Sequence, residues 1–296
     1  MRDLPVEARE ILDRGTLCYL GAPSSLGPHV TPVVFVLERG RVWGTTGRRT
    51  TKARRWRSDP VAGGLVRLGE RAVAFRGAVS QYDALQPGTW PASVFRAPSL
   101  TLASLRFSRK NARFFAGYAR DVTRVPLAWT PPARVIFSVN LDDGAVLDGS
   151  GIRDRWGRWG EDPPGRTKPH PTAVTRHAAP LDEAQIPDDM RALLGPQGEG
   201  VIGLAGPRGP VVLPATWARD GDGFLAVVNE PVLALAEAGT STRAGLVVDR
   251  ASRWRAAHMS GVLLRGDAHI TERGVHLRPD TAVWWRGWAS GTVGRP

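Results

Sequence analysis

The sequence predicts a mainly β chain with short helices, built as two small antiparallel barrels in one polypeptide. Three observations carry this reading. Short β-branched and aromatic runs are separated by clusters of turn formers, a brief helix stands between the third and fourth runs, and marks from the first half return in the same order in the second. Gly27-Pro28-His29-Val30-Thr31-Pro32 is answered by Gly209-Pro210-Val211-Val212-Leu213-Pro214, with Pro214 lying 182 residues after Pro32. Arg76-Gly77 is answered by Arg265-Gly266, 189 residues on. The middle mark, Thr45-Thr46-Gly47-Arg48-Arg49-Thr50-Thr51-Lys52, does not return; Glu230 and apolar residues stand in its place. Duplication followed by loss of one anion site accounts for that asymmetry.

The elements follow in order. Residues 6–15 read as an amphipathic helix that Gly15 ends. Residues 16–22, 30–37, 41–45, 61–67 and 71–80 read as strands, parted by Pro23-Ser24-Ser25-Leu26-Gly27, Glu38-Arg39-Gly40 and Leu68-Gly69-Glu70. Residues 50–57, free of Gly and Pro, read as a helix that Ser58-Asp59-Pro60 stops. Beyond them, 82–85 and 108–119 look helical with proline breaks at Pro87, Pro91 and Pro98, and 134–140 is a strong strand that would close the first barrel. The second half repeats the scheme with a helix at 188–194 and strands at 200–204, 210–217 and 224–228. The expected division is a first barrel at 1–149, a Gly, Pro and Arg-rich linker at 150–187, and a second barrel at 188–296.

Composition narrows the function classes. A chain of 296 residues that is 42% hydrophobic can bury two ordinary cores. No run is long and apolar enough to cross a bilayer, and the opening Met1-Arg2-Asp3-Leu4-Pro5 lacks the apolar segment of a signal peptide. The expectations are a cytoplasmic protein with no membrane partner. The single cysteine, Cys18, sits in an apolar run as a buried thiol. The formal charge of +12 comes from arginine spread along the chain without zinc spacing, a recognition helix or a basic-aromatic repeat, so no nucleic-acid partner is expected. Excess arginine does suit an acidic small ligand.

The basic, hydroxyl-rich segment carries the candidate chemistry. A phosphate monoester calls for charge-assisted donors and backbone N–H groups, and a helix starting near Thr50 would offer its positive end, the threonine hydroxyls and the cations Arg48, Arg49 and Lys52. Taken with the strand motifs, these residues resemble the flavin-binding split-barrel family, which includes pyridoxamine 5′-phosphate oxidase and the deazaflavin-dependent oxidoreductases. The likeness is best over residues 11–80 and weaker over 201–271. It implies two FMN-binding-type split β-barrels forming a pseudo-dimer. Under it, His29, Val30, Thr31, Pro32 and Val33 line the cofactor ring, and Thr45, Thr46, Arg48, Arg49, Thr50, Thr51 and Lys52 lie on the phosphate side. Trp284, Trp285 and Arg286 are candidates for contact from the second half.

The expected function is a flavin-dependent oxidoreductase acting on a small molecule, with one cofactor per chain between the barrels. FMN is the first choice and the deazaflavin coenzyme F-420 the second. No residue is singled out as catalytic and no metal site is expected. A haem-binding or haem-degrading protein is the alternative from another class, but His29, His170, His177, His258, His269 and His276 show no ligand spacing. A flavin-binding protein without catalysis is a third reading. The assembly is expected to be a monomeric pseudo-dimer or a homodimer.

Overall fold

A computed structural model describes residues 4–160, 179–250 and 255–294, apart from residues 84, 122, 124, 128, 129, 131 and 132. The chain opens with α1 (Val6–Arg14), whose Ala8, Ile11 and Leu12 face the core. Strands β1 (Leu17–Ala22), β2 (His29–Glu38) and β3 (Arg41–Gly47) form a meander. The Arg39-Gly40 turn joining β2 and β3 holds both residues at positive φ, the geometry that matches strand twist in a two-residue hairpin. Then come α2 (Thr51–Ser58), β4 (Val61–Leu68) and β5 (Arg71–Tyr82). A helical excursion of α3 (Trp90–Phe95), α4 (Ala97–Lys110) and α5 (Ala112–Arg120) leads to β6 (Arg134–Asn140). The six strands close in the order β4-β1-β2-β3-β6-β5, with β4 pairing back onto β5. Two more, β7 (Asp143–Asp148) and β8 (Gly151–Trp156), extend the sheet from β5.

The second barrel repeats this connectivity. After α6 (Asp188–Arg191) come β9 (Gln197–Gly206), β10 (Gly209–Asp220), β11 (Gly223–Val227), α7 (Glu230–Ala234), β12 (Ser241–Arg250), β13 (Ser260–Thr271) and β14 (Gly274–Arg286). The ring runs β11-β10-β9-β12-β13-β14 and closes through β11 and β14, while β15 (Ala289–Gly294) pairs with β14. Strand for strand, β9 to β14 take the places of β1 to β6, and α7 takes the place of α2.

One core fills the first barrel around Leu20, Phe35, Phe75 and Phe137. A second fills the other barrel and continues across the junction to take in Val30, Leu65, Ala72, Ala74, Ala145 and Leu147 of the first. Strands β4 and β5 are therefore buried on both faces, which is why 61–66 and 72–75 read as nearly unbroken apolar runs rather than alternating ones. The junction is two-fold in character. A Cβ on Gly63 would lie 2.1 Å from the carbonyl oxygen of Pro210, and one on Gly245 would lie 2.8 Å from that of Pro28. Likewise a Cβ on Gly21 would meet Val212 at 3.1 Å and one on Gly203 would meet Val30 at 2.6 Å. Each residue in these contacts has its counterpart 182 positions away, so residue i meets j and the copy of j meets the copy of i, as in an isologous dimer.

Three expectations change. Residues 151–156 were assigned to the linker, yet they form β8, and Trp159 beyond them is buried; the edge position of β8 leaves Arg153, Asp154 and Arg155 in water, and that charge disguises a strand. The remainder of the linker from 161 to 178 lies outside the described residues, as do His170 and His177. Tyr82 ends β5 instead of starting a helix, and α4 accepts Pro98 because the first helical turn has no N–H to lose there.

The junction gives a direct test. Gly63→Ala and Gly245→Ala should each destabilise the chain by about 1–3 kcal/mol, because a methyl group has to push two backbones apart. Gly149→Ala, where nothing lies within 4 Å, should be silent in the same thermal melts.

Candidate functional site

The segment between β3 and β4 folds as a capped helix end. Thr50 is the N-cap of α2: its hydroxyl accepts from Ala53 N at 3.4 Å, donates to Gly47 O at 2.8 Å and lies 3.1 Å from the Thr46 hydroxyl. Thr45 is held by Arg134, which donates to its hydroxyl and its carbonyl, both at 2.9 Å. Arg48 pairs with the buried carboxylate of Asp83 at 3.0 Å, while Arg49 is exposed and Thr51 half-buried.

Lys52 is turned inward. Only 2% exposed, it donates from Nζ to Thr31 O at 3.0 Å and Thr31 Oγ1 at 2.6 Å. The second position of α2 faces the barrel, so Lys52 is turned away from the exposed side that carries Arg54 and Arg55. Burial pushes its basicity down to about 7. Cys18 lies near it, and burial raises that thiol to about 12, so it is inert and supplies no counter-charge.

Strand β2 divides its five predicted residues by the two-residue period of the pleat. His29, Thr31 and Val33 share one face, with Thr31 on Lys52 and Val33 against the first core. Val30 and Pro32 share the other, and Val30 is packed on the second barrel. His29 Nδ1 is buried without a hydrogen-bond partner. Burial holds the imidazole well below its usual pKa, and the charges of Lys52 and Arg265 act in the same direction. His29 is therefore neutral at physiological pH.

Arg265, on β13, is the residue that sequence reasoning missed. It is 4% exposed, and among the described residues it has neither an ion pair nor a hydrogen bond; its Nε is buried without a partner. Burial lowers its pKa to about 10, which leaves it charged. The nearby carboxylate of Asp280 is already gripped by Arg243 at 2.6 and 3.0 Å, and Arg243 also holds Asp267 at 2.8 Å and donates to Leu26 O of the first barrel at 3.1 Å. Arg55, exposed on α2, adds a further positive field. At the junction the second barrel thus presents a buried guanidinium to a neutral histidine, a buried lysine and a basic helix.

The matching position on the other side is different. Arg76, on β5, is 3% exposed, is bonded to Asp143 at 2.7 and 3.2 Å, lies 3.7 Å from Glu237 and has its guanidinium over the Trp159 ring. Glu237, just past α7 and at positive φ, also takes both ends of Arg208. Where α2 offers cations to Arg265, the α7 region offers a carboxylate to Arg76. Arg76 is thus bonded directly to a carboxylate, whereas the carboxylate near Arg265 is bonded to Arg243 instead.

Trp284 and Trp285 are partly buried at the edge of the second core. They lie on β14 against Gly291 and Gly261 of their own barrel, and Arg286 is engaged with Asp189 at 2.5 Å. The signal that could have found Arg265 was the repeat itself, since Arg-Gly is kept in both halves while its surroundings change.

Two closed six-stranded antiparallel rings with one connectivity are joined in a single polypeptide. The chain is a tandem split barrel. No family model and no curated protein sequence matches it. Solved structures similar to this tandem barrel include an FAD-binding protein from Mesorhizobium loti, with 15% identity over 49% of this chain and 95% of that one and a TM-score of 0.34. Another is General Stress Protein 26 from Bacillus anthracis, with 15% identity over 51% and 95% and a TM-score of 0.34. A third is a pyridoxamine 5′-phosphate oxidase-related, FMN-binding protein from Nostoc punctiforme, with 16% identity over 51% and 84% and a TM-score of 0.33.

The donor set fits a phosphate group. An anion placed among Arg265, Lys52 and the start of α2 would gain charge-assisted hydrogen bonds and relieve two buried cations. Arg265→Gln and Lys52→Met should each weaken the binding of a phosphate monoester about 10- to 100-fold by calorimetric titration, the loss of one such bond. Glu230→Gln, on the side already neutralised, should leave the affinity unchanged.

Proposed function

We propose that the chain binds one phosphate-bearing flavin-type cofactor per molecule, between its barrels, and uses it to oxidise or reduce a small molecule. The observation that carries this reading is the unequal pair of interfacial arginines: Arg76 is ion-paired with Asp143 and Glu237, whereas Arg265, whose nearby Asp280 is gripped by Arg243, makes no ion pair or hydrogen bond among the described residues. A buried guanidinium whose nearby carboxylate is already bonded elsewhere keeps unused N–H donors, and an anion from outside would satisfy them. FMN is the first choice, in keeping with the family that residues 11–80 resemble. Coenzyme F-420 is the second, and the exposed Arg49, Arg54 and Arg55 suit its longer acidic tail.

In this reading Lys52, Arg265 and the amides at the start of α2 hold the phosphate, and β2 from His29 to Val33 supports the ring. The cofactor supplies hydride or electron transfer. His29, neutral and with Nδ1 unpartnered, offers a buried hydrogen-bonding position beside the ring, and the second barrel excludes water from it.

The state of Lys52 makes the reading pH-sensitive. In the unliganded chain its folded pKa of about 7 lies below the ordinary 10.5, so between these values the unfolded state holds the extra proton. Lys52 therefore contributes stability at high pH that is lost as pH falls through about 7. A bound phosphate reverses the preference by favouring the charged amine. Cofactor affinity should fall as pH rises above 7, and binding at pH 8 should take up close to one proton, read by calorimetry in buffers of different ionisation heat. The deciding experiment is the absorbance spectrum of the purified protein followed by titration with FMN, F-420 and haemin. One equivalent of FMN or F-420 per chain, with that proton uptake, supports the proposal. A Soret band on haemin addition without flavin binding, or no binding of any of the three, overturns it.

A further inference from the structure

The excursion between β5 and β6 is built unlike the rest of the molecule. Of the eight large apolar side chains exposed among the described residues, six lie on it: Leu85, Trp90, Val94, Leu105, Phe115 and Leu127. Val94 is 76% exposed and Leu127 85%, so neither is packed away by the described residues. The same stretch is strongly basic. Residues 85–130 hold seven Lys or Arg and one acid, Asp121, which is buried and paired with Arg255. Arg106, Arg109, Arg113 and Arg120 are exposed on α4 and α5.

Its other side is anchored. Ala103 and Phe107 are buried, and Asn111 donates to Phe35 O at 3.3 Å. Lys110 donates to Leu12 O at 3.0 Å with its amine over the Phe35 ring, and Tyr118 packs edge-on to Trp288 of the second barrel. The helices are thus fixed to both barrels and leave apolar tips and guanidinium groups facing outward.

We propose that this excursion is a peripheral contact surface for an anionic lipid bilayer. Exposed leucine, valine and tryptophan interspersed with arginine is the pairing that seats a helix in the headgroup region, where the apolar tips enter the acyl boundary and the cations meet lipid phosphates. No helix of the described residues is long and apolar enough to cross a membrane, and a peripheral contact needs none. The charge argues against a second copy of the chain as the occupant, because two such surfaces repel one another. The aliphatic tips argue against nucleic acid, which is read by hydrogen bonds and aromatic stacking.

The test is sedimentation of the full chain with vesicles of phosphatidylcholine alone and with one-third phosphatidylglycerol. Binding should be at least tenfold stronger to the anionic vesicles and should weaken in 0.5 M salt. The variant carrying Leu85→Ser, Val94→Ser, Leu105→Ser and Leu127→Ser should lose about tenfold in vesicle binding while its circular dichroism and melting temperature hold, since those side chains support no core. Absence of sedimentation with anionic vesicles overturns the proposal. So does vesicle binding that the serine variant retains in full, which would be bare charge attraction, and so does a concentration-dependent dimer that this variant abolishes without any vesicle binding.

Discussion

The close approach of two backbones at the junction is the constraint on which everything else rests. Gly63 against Pro210 and Gly245 against Pro28 leave no room for a side chain, so the barrels meet main chain to main chain. Only at that distance can an arginine on the fifth strand of one barrel reach the helix region of the other. Had either glycine been alanine, the faces would separate by a substantial part of a methyl diameter, and Arg265 would open to water. Leu65 of β4 and Ala72 and Ala74 of β5, which join the core of the second barrel, then depend on the same contact.

An isologous junction made by duplication begins with two equal sites, and what distinguishes this chain is how they became unequal. On one side Glu237 neutralises Arg76 and Arg208, and the site stays stable with nothing bound. On the other, among the described residues, a buried lysine and a buried arginine make no ion pair, and the Asp280 near Arg265 is bonded to Arg243. The two halves divide the work accordingly. One provides a fixed face, and the other keeps buried donors without partners. Selection for stability alone would have converted Lys52 or Arg265 to an apolar residue; their presence is a reason to look for the ligand.

Much of the fold was legible because turns and strand pairs leave local marks. The 182-residue repeat is carried by Gly-Pro turns, whose backbone requirements cannot drift freely, and the same offset turns out to join the residues that touch across the junction. Strand β8 was hidden because an edge strand in water looks like a charged loop. The site was legible in its segment and not in its geometry. Thr45 to Lys52 could be recognised as an anion-seeking helix start, but which way Lys52 points depends on the phase of α2 against β2. Arg265 reads as one arginine among many. Its meaning comes from what surrounds it after folding: an Asp280 already occupied by Arg243, and a histidine and lysine contributed from over 200 residues away.

The excursion between β5 and β6 bears on the site as well as on the surface. Its anchors reach Phe35 on β2, Leu12 on α1 and Trp288 in the second barrel, while Arg134, at its return into β6, holds Thr45 on β3. A force applied to the exposed side of α4 and α5 is therefore felt at β2 and β3, the strands that flank Lys52. Rigid anchoring makes the coupling mechanical in origin: the helices cannot shift without moving Asn111 from the Phe35 carbonyl or Tyr118 from Trp288. A protein that meets its surroundings through this face would meet them a few side chains away from the strands that flank Lys52.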